Sequence, residues 1–206
     1  MGVELLVAVP DQPGVLPALA GVLAMHRLTV RTAEFRSTEI PGELRTAPDA
    51  PRDAASGGAR AGDVTAVLVL DWRVSAAYGS LPQAARLRAD LVRALDGSLD
   101  IRGRLAERDA AYPRRKGLSV PPPRVRVAPA ASRSATVIEV RAQDAPGLLH
   151  RLGLALESAG VRVRSAHAST LGANAVDAFY VTGPDGGPLA PDAASALAAE
   201  LERTLG

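Results

Sequence analysis

Thr136 to Gly153 reads T-V-I-E-V-R-A-Q-D-A-P-G-L-L-H-R-L-G. It opens with a β-type run, Thr136 to Ala142, rich in Val and Ile. A turn D-A-P-G follows, then a helical stripe Leu149, Leu152 and Leu156 at a spacing near 3.6. Strand, Pro-Gly corner and amphipathic helix in so few residues define one supersecondary unit.

The same unit occurs at the start of the chain. A shift of 133 residues lays Asp11, Pro13, Gly14, Leu16, Leu19, Leu23, Val30 and Ala33 on Asp144, Pro146, Gly147, Leu149, Leu152, Leu156, Val163 and Ala166. The match runs ungapped over about thirty positions, a repeat long enough to set the organisation of the chain. Val3 to Val9 is the first strand of this copy, and Pro17 falls in the first turn of its helix, where a missing N–H is tolerated.

Beyond the first helix the second copy predicts a hairpin, Val161 to Thr170 and Ala175 to Thr182, around an L-G-A-N turn. The first copy predicts strands Thr29 to Thr38 and Asp63 to Val74, separated by an insert of about Glu39 to Gly62. That insert is rich in Pro, Gly, Ala and Asp and is expected to be a mobile loop. Second helices are predicted over Leu81 to Leu95, with Gly97 as its stop, and over Pro191 to Leu205. Each unit therefore reads β-α-β-β-α. No fourth strand follows the second unit, but Arg124 to Ala128 has strand composition and is expected to fold back antiparallel onto Thr136 to Ala142. The organisation expected is a first unit over 1–97, a connector over 98–123 with one candidate helix from Ser98 to Tyr112, and a second unit over 124–206. The connector's basic cluster Arg114, Arg115 and Lys116 is read as solvated rather than as a docking site.

Composition narrows the function. The chain has 206 residues, no cysteine, a net charge of +2 and only 3% aromatic residues. Without Cys there is no disulfide framework, thiolate nucleophile or Cys-based zinc site. Nucleic-acid binding calls for a basic stripe with stacking aromatics, and the few aromatics here are scattered. Apolar runs such as Val64 to Leu70 are too short to span a bilayer, and no signal-peptide pattern opens the chain, so a cytoplasmic protein is expected, with neither nucleic acid nor membrane as partner.

The repeated β-α-β-β-α order with D-x-P-G after the first strand resembles the ACT family, whose ferredoxin-like domains bind small ligands, often amino acids. The tandem arrangement, Thr136 to Gly153, S-A-H-A-S-T-L-G from Ser165 and V-D-A-F-Y-V-T from Val176 are similar to the C-terminal regulatory region of the bifunctional PII uridylyltransferase family. The resemblance implies an α+β fold of two ferredoxin-like ACT units, each an antiparallel sheet with helices on one face. It implies glutamine as regulatory ligand, no cofactor, the catalytic domains of a parent or partner enzyme as neighbours, and the PII protein as an indirect partner. Nucleotidyltransferase and HD-type hydrolase domains are expected ahead of such a region. This chain contains no D-x-D, and no His is followed by Asp, so no catalytic or metal-binding residue is assigned. Whether the chain is a fragment, a truncated gene product or a stand-alone regulator of amino-acid metabolism stays open.

The candidate ligand-binding residues are the two turns with the helix starts behind them: Asp11, Pro13, Gly14, Val15 and Leu16, and Asp144, Pro146, Gly147, Leu148 and Leu149. A helix N-terminus offers unpaired N–H groups to a carboxylate, and the Asp suits an ammonium. One turn thus complements both ends of a free amino acid. The competing reading is that Asp caps the helix and Pro-Gly only makes the corner. His26, His150 and His167 are assigned no catalysis, and Asp177 is read as solvent-facing. An assembly module without a working ligand site is the alternative function.

Overall fold

The computed structural model describes residues 2–41, 64–76, 80–111, 121–129, 132–171 and 174–206. The elements run β1 (Val3–Pro10), α1 (Val15–Met25), β2 (Leu28–Pro41), β3 (Val64–Ala76), α2 (Ala84–Leu95), α3 (Ile101–Ala111), β4 (Arg124–Ala128), β5 (Thr136–Gln143), α4 (Leu148–Ser158), β6 (Arg162–Leu171), β7 (Asn174–Thr182) and α5 (Pro191–Leu205). The strands form one antiparallel sheet in the order β1-β3-β2-β6-β7-β5-β4. Alternate residues are buried along its strands, as in Ala175, Asp177, Phe179 and Val181 of β7, so the helices cover one face and leave the other to water. This is an α+β fold consistent with tandem ferredoxin-like ACT units.

The two halves meet at a pseudo-twofold axis. Strand β2 pairs with β6 through Thr32–His167, Ala33–Ala166 and Glu34–Ser165, so the equivalent alanines face each other. On either side, Trp72 pairs with Ala33 and Phe179 with Ala166, putting two large buried rings around two small residues. Register shifts fall at matching places, between Val30 and Thr32 and between Val163 and Ser165, next to the junction where added twist is needed. In the helix layer, Pro17 and His150, also equivalent in the repeat, meet directly, and a side chain on Gly153 would come within 3.3 Å of Pro17.

Arg124 to Ala128 does pair with β5, from Arg124 opposite Arg141 to Ala128 opposite Val137. The second unit thus carries its fourth strand at the front, beneath α5. Three details differ from the sequence expectation. The fully buried stripe of α4 is Leu148, Leu152 and Leu156, with Leu149 only partly buried, and α1 likewise buries Val15, Leu19 and Leu23 ahead of Leu16. The stripe shifts because α1 lies at the centre of the helix layer, against α2, α3 and α4. Helix α2 begins at Ala84, leaving Leu81 exposed. The connector helix is more than a spacer, since α3 buries Ile101 and Leu105 against α1. Of the expected mobile insert, Glu39 to Pro41 continues β2, and the rest lies outside the described residues, as do Arg114, Arg115 and Lys116.

Ala33 and Ala166 are 1% and 5% exposed, so neither has room to grow. Ala33→Leu or Ala166→Leu should each lower stability by about 1–3 kcal/mol in urea unfolding. Arg36→Gln, on the exposed face of β2, should stay within about 0.5 kcal/mol of the parent.

Candidate functional site: two turns at the unit junction

Each D-x-P-G turn ends in a glycine that starts a helix. Gly14 has φ 88° and Gly147 has φ 77°, a left-handed conformation that disfavours any side chain. The N-cap residues are Gly14 and Gly147 themselves, so neither Asp11 nor Asp144 holds the N-cap position that was the competing reading. The first turn meets the far end of α4 and the second meets α3, and there the two sites diverge.

At the first turn the Gly14 N–H donates to the Glu157 carboxylate, which reaches across from the last turn of α4. The Asp11 carboxylate, exposed to solvent, accepts from the Ser37 hydroxyl at 2.7 Å, and the Asp11 N–H donates to the Ala66 carbonyl at 2.9 Å. Apart from Gly14 and its chain neighbours, no atom of the described residues lies within 4 Å of the place where a Cβ on Gly14 would stand. The turn therefore presents one carboxylate of its own, a second carboxylate held on its backbone N–H, and an open approach. Pro13 is exposed and Leu16 partly buried, whereas Val15 belongs to the core.

The second turn is covered. A Cβ on Gly147 would lie 2.6 Å from Leu105 Cδ1, because α3 rests on it. The position equivalent to Glu157 is Ala24, whose carbonyl accepts from the Arg108 guanidinium of α3. Pro146 and Leu149 are partly buried and Leu148 is in the core. Asp144 is solvent-exposed at one side, yet the part of its carboxyl that is crowded by protein pushes its pKa up from the ordinary value.

Two buried ionisable groups lie near the second turn, on β7 and α4. Asp177 was expected to face solvent; it is 5% exposed, on the helix side of β7 between Val140 and Ala168. Burial pushes its carboxyl up to about 7, Ser169's backbone opposes the shift, and the nearby Asp144 charge adds to it. The corresponding residue of the first unit is Leu70, since Val7 pairs with Leu70 as Val140 pairs with Asp177. The 133-residue shift fails beyond the insert, which hid this exchange of Leu for Asp. His150 is buried at the α1–α4 contact. Its Nδ1–H donates to the Pro17 carbonyl at 2.7 Å, and Nε2 has no partner among the described residues. Burial lowers its pKa, the Pro17 bond works the other way, and Arg102 and Arg151 lower it further.

The remaining histidines tie elements together. His26 ends α1 and bonds Asp90 of α2 at 2.8 Å, and His167 sits edge-on to Tyr180 on the open face of the sheet. Among the described residues no group of three or more His, Cys, Asp or Glu could hold a metal ion, and no helix is long and apolar enough to cross a membrane. A concavity of about 530 Å³ opens beside β4 between Pro123, Arg124, Arg141 and Glu202, away from both turns.

The buried acid gives a pH signature. Its folded pKa exceeds the unfolded value of 3.8, so its contribution to stability is full below 3.8 and is lost as pH rises through about 7. Asp177→Asn should therefore gain roughly 4 kcal/mol at pH 8 and little at pH 4, in denaturant titrations at both values. His150, with a lowered folded pKa, acts in the opposite sense, losing stability as pH falls below about 6.5.

No family model matches the chain. Among curated proteins, the bifunctional uridylyltransferase/uridylyl-removing enzyme of Streptomyces coelicolor is 70% identical over 205 residues, covering 100% of this chain and 22% of that protein. The enzymes of the same name from Gluconobacter oxydans and Rhodospirillum rubrum are 33% and 31% identical over 180 and 178 residues, each covering 86% of the chain and 17% of the relative. The chain thus spans about a fifth of the length of the curated relatives it matches. Along its whole length it is homologous to a segment of the bifunctional uridylyltransferase/uridylyl-removing enzymes, consistent with their C-terminal ACT regulatory region.

Proposed function

We propose that the chain is a regulatory amino-acid sensor, with glutamine as its ligand, and that the first turn, Asp11 to Leu16, is where the ligand binds. The observation that carries this reading is the Glu157 carboxylate on the Gly14 N–H, in the turn that also carries the Asp11 carboxylate. A zwitterion needs a donor for its carboxylate and an acceptor for its ammonium a few ångströms apart, and this turn already holds a carboxylate where the ligand's would sit. The ligand's α-carboxylate replaces Glu157, its ammonium takes Asp11, and the released α4 end is free to change the junction between the units. Such a ligand regulates through different affinity for two unit arrangements.

In the longer enzymes the reading extends to control of uridylylation and deuridylylation of the PII protein, through the catalytic domains of the same polypeptide, in the cytoplasm. The second turn, Asp144 to Leu149, lies under Leu105 and binds a ligand only if α3 moves aside. One observation favours an assembly module instead: each turn is already contacted by one of the chain's own side chains, the Gly14 N–H by Glu157 and Gly147 by Leu105.

Thermal melting with a panel of amino acids separates the two. Glutamine at about 100 times its dissociation constant should add about 2.7 kcal/mol to the unfolding free energy. Asp11→Ala should abolish that gain, and Asp144→Ala should leave it. Glu157→Gln keeps an acceptor for Gly14 but removes the competing charge, so it should tighten glutamine binding several-fold. No response to any amino acid, in the parent or in Glu157→Gln, would replace the sensor by the assembly module.

A further inference from the structure

The two units differ at their outer edges. In the second, β4 closes β5, with Val127 opposite Ile138 and Val125 opposite Val140 on the side facing the helices. Ile138 and Val140 are consequently 0% exposed. In the first unit β1 is the last strand of the sheet, bonded among the described residues to β3 alone. Its Leu5 and Val7, equivalent to Ile138 and Val140, are only partly buried, and Leu6 on the other face is 70% exposed. An open edge with half-covered aliphatic residues is a ready template for strand addition.

We propose that the β1 edge is the docking site of an extended strand contributed by the polypeptide ahead of Val3 in the longer enzyme, in the place β4 holds ahead of β5. The internal repeat is the first argument for this occupant. The unit is the same, and where the chain extends in front of it, a five-residue strand, Arg124–Ala128, seven residues ahead of β5, lies on the edge. Length is the second, since the relatives are several times longer than this chain. Shape is the third. Helix α5 lies over β4 and packs on α4, and α2 packs on α1 in the same way, so the repeat assigns α2 the equivalent position beside β1. A strand that carries no helix fits beneath it, whereas β1 of a second copy arrives with its own helix layer and meets α2. The incoming strand runs antiparallel to β1 and sets two apolar residues, two apart, against Leu5 and Val7.

Hydrogen exchange on this chain and on a longer piece of the same enzyme that includes the preceding residues tests the proposal. The β1 amides not bonded to β3 should exchange freely in the 206-residue chain and at least tenfold more slowly in the longer one. A second measurement keeps the test independent of that piece's folding: placing residues 121–135 directly ahead of Val3 should raise the melting temperature and protect the same amides. Unchanged exchange in both would overturn the proposal. So would protection already present in the short chain together with a doubled solution mass, which would assign the edge to a second copy.

Discussion

The close approach of the two units at Ala33 and Ala166 is the constraint on which the remaining architecture depends. Small side chains let β2 and β6 pair across the pseudo-twofold axis, and that pairing makes one sheet out of two. The same axis brings α1 and α4 together at Pro17 and His150, so the helix layer is continuous as well. Such a contact is self-complementary in the way of a symmetric dimer, but inside one chain. Because it is covalently joined, its two halves are free to diverge.

They have diverged where ligands and partners are expected. Glu157 stands opposite Gly14, while its counterpart Ala24 offers only a carbonyl, taken by Arg108 of an added helix. Leu70 fills the first core, whereas Asp177 occupies the same place in the second, at a cost in stability that packing alone does not require. A buried acid beside a turn that carries another acid is the kind of local inconsistency that marks functional ground in a protein. Helix α3 turns this asymmetry into a difference of access, closing one turn with Leu105 and leaving the other to the Glu157 carboxylate.

Much of this frame was legible in the sequence because the repeat is written in side chains that pack or bend: Leu at helical spacing, the Pro-Gly corner, alternating Val and Ile. The permuted strand Arg124 to Ala128 was readable for the same reason. What stayed hidden depends on contacts between distant segments. Glu157 looks like any helix-surface glutamate until α1 is placed against it, and Leu105 looks like one apolar residue on a polar connector. Asp177 alternates with Val176 and Ala178 as a solvent-facing residue would; only the register with Val140 and Ala168 turns it inward. The stripe on α1 was misplaced by one residue because a helix surrounded on several sides has no single apolar face.

The continuous sheet has a geometric consequence for the assembled protein. Neighbouring strands rotate by roughly 20–25° with a constant hand. Six steps separate β1 from β4, so the two outer strands differ in direction by about 120–150°. The strands at the two ends of the sheet therefore run in different directions. Bodies attached at the two margins are six strands apart and turned relative to one another.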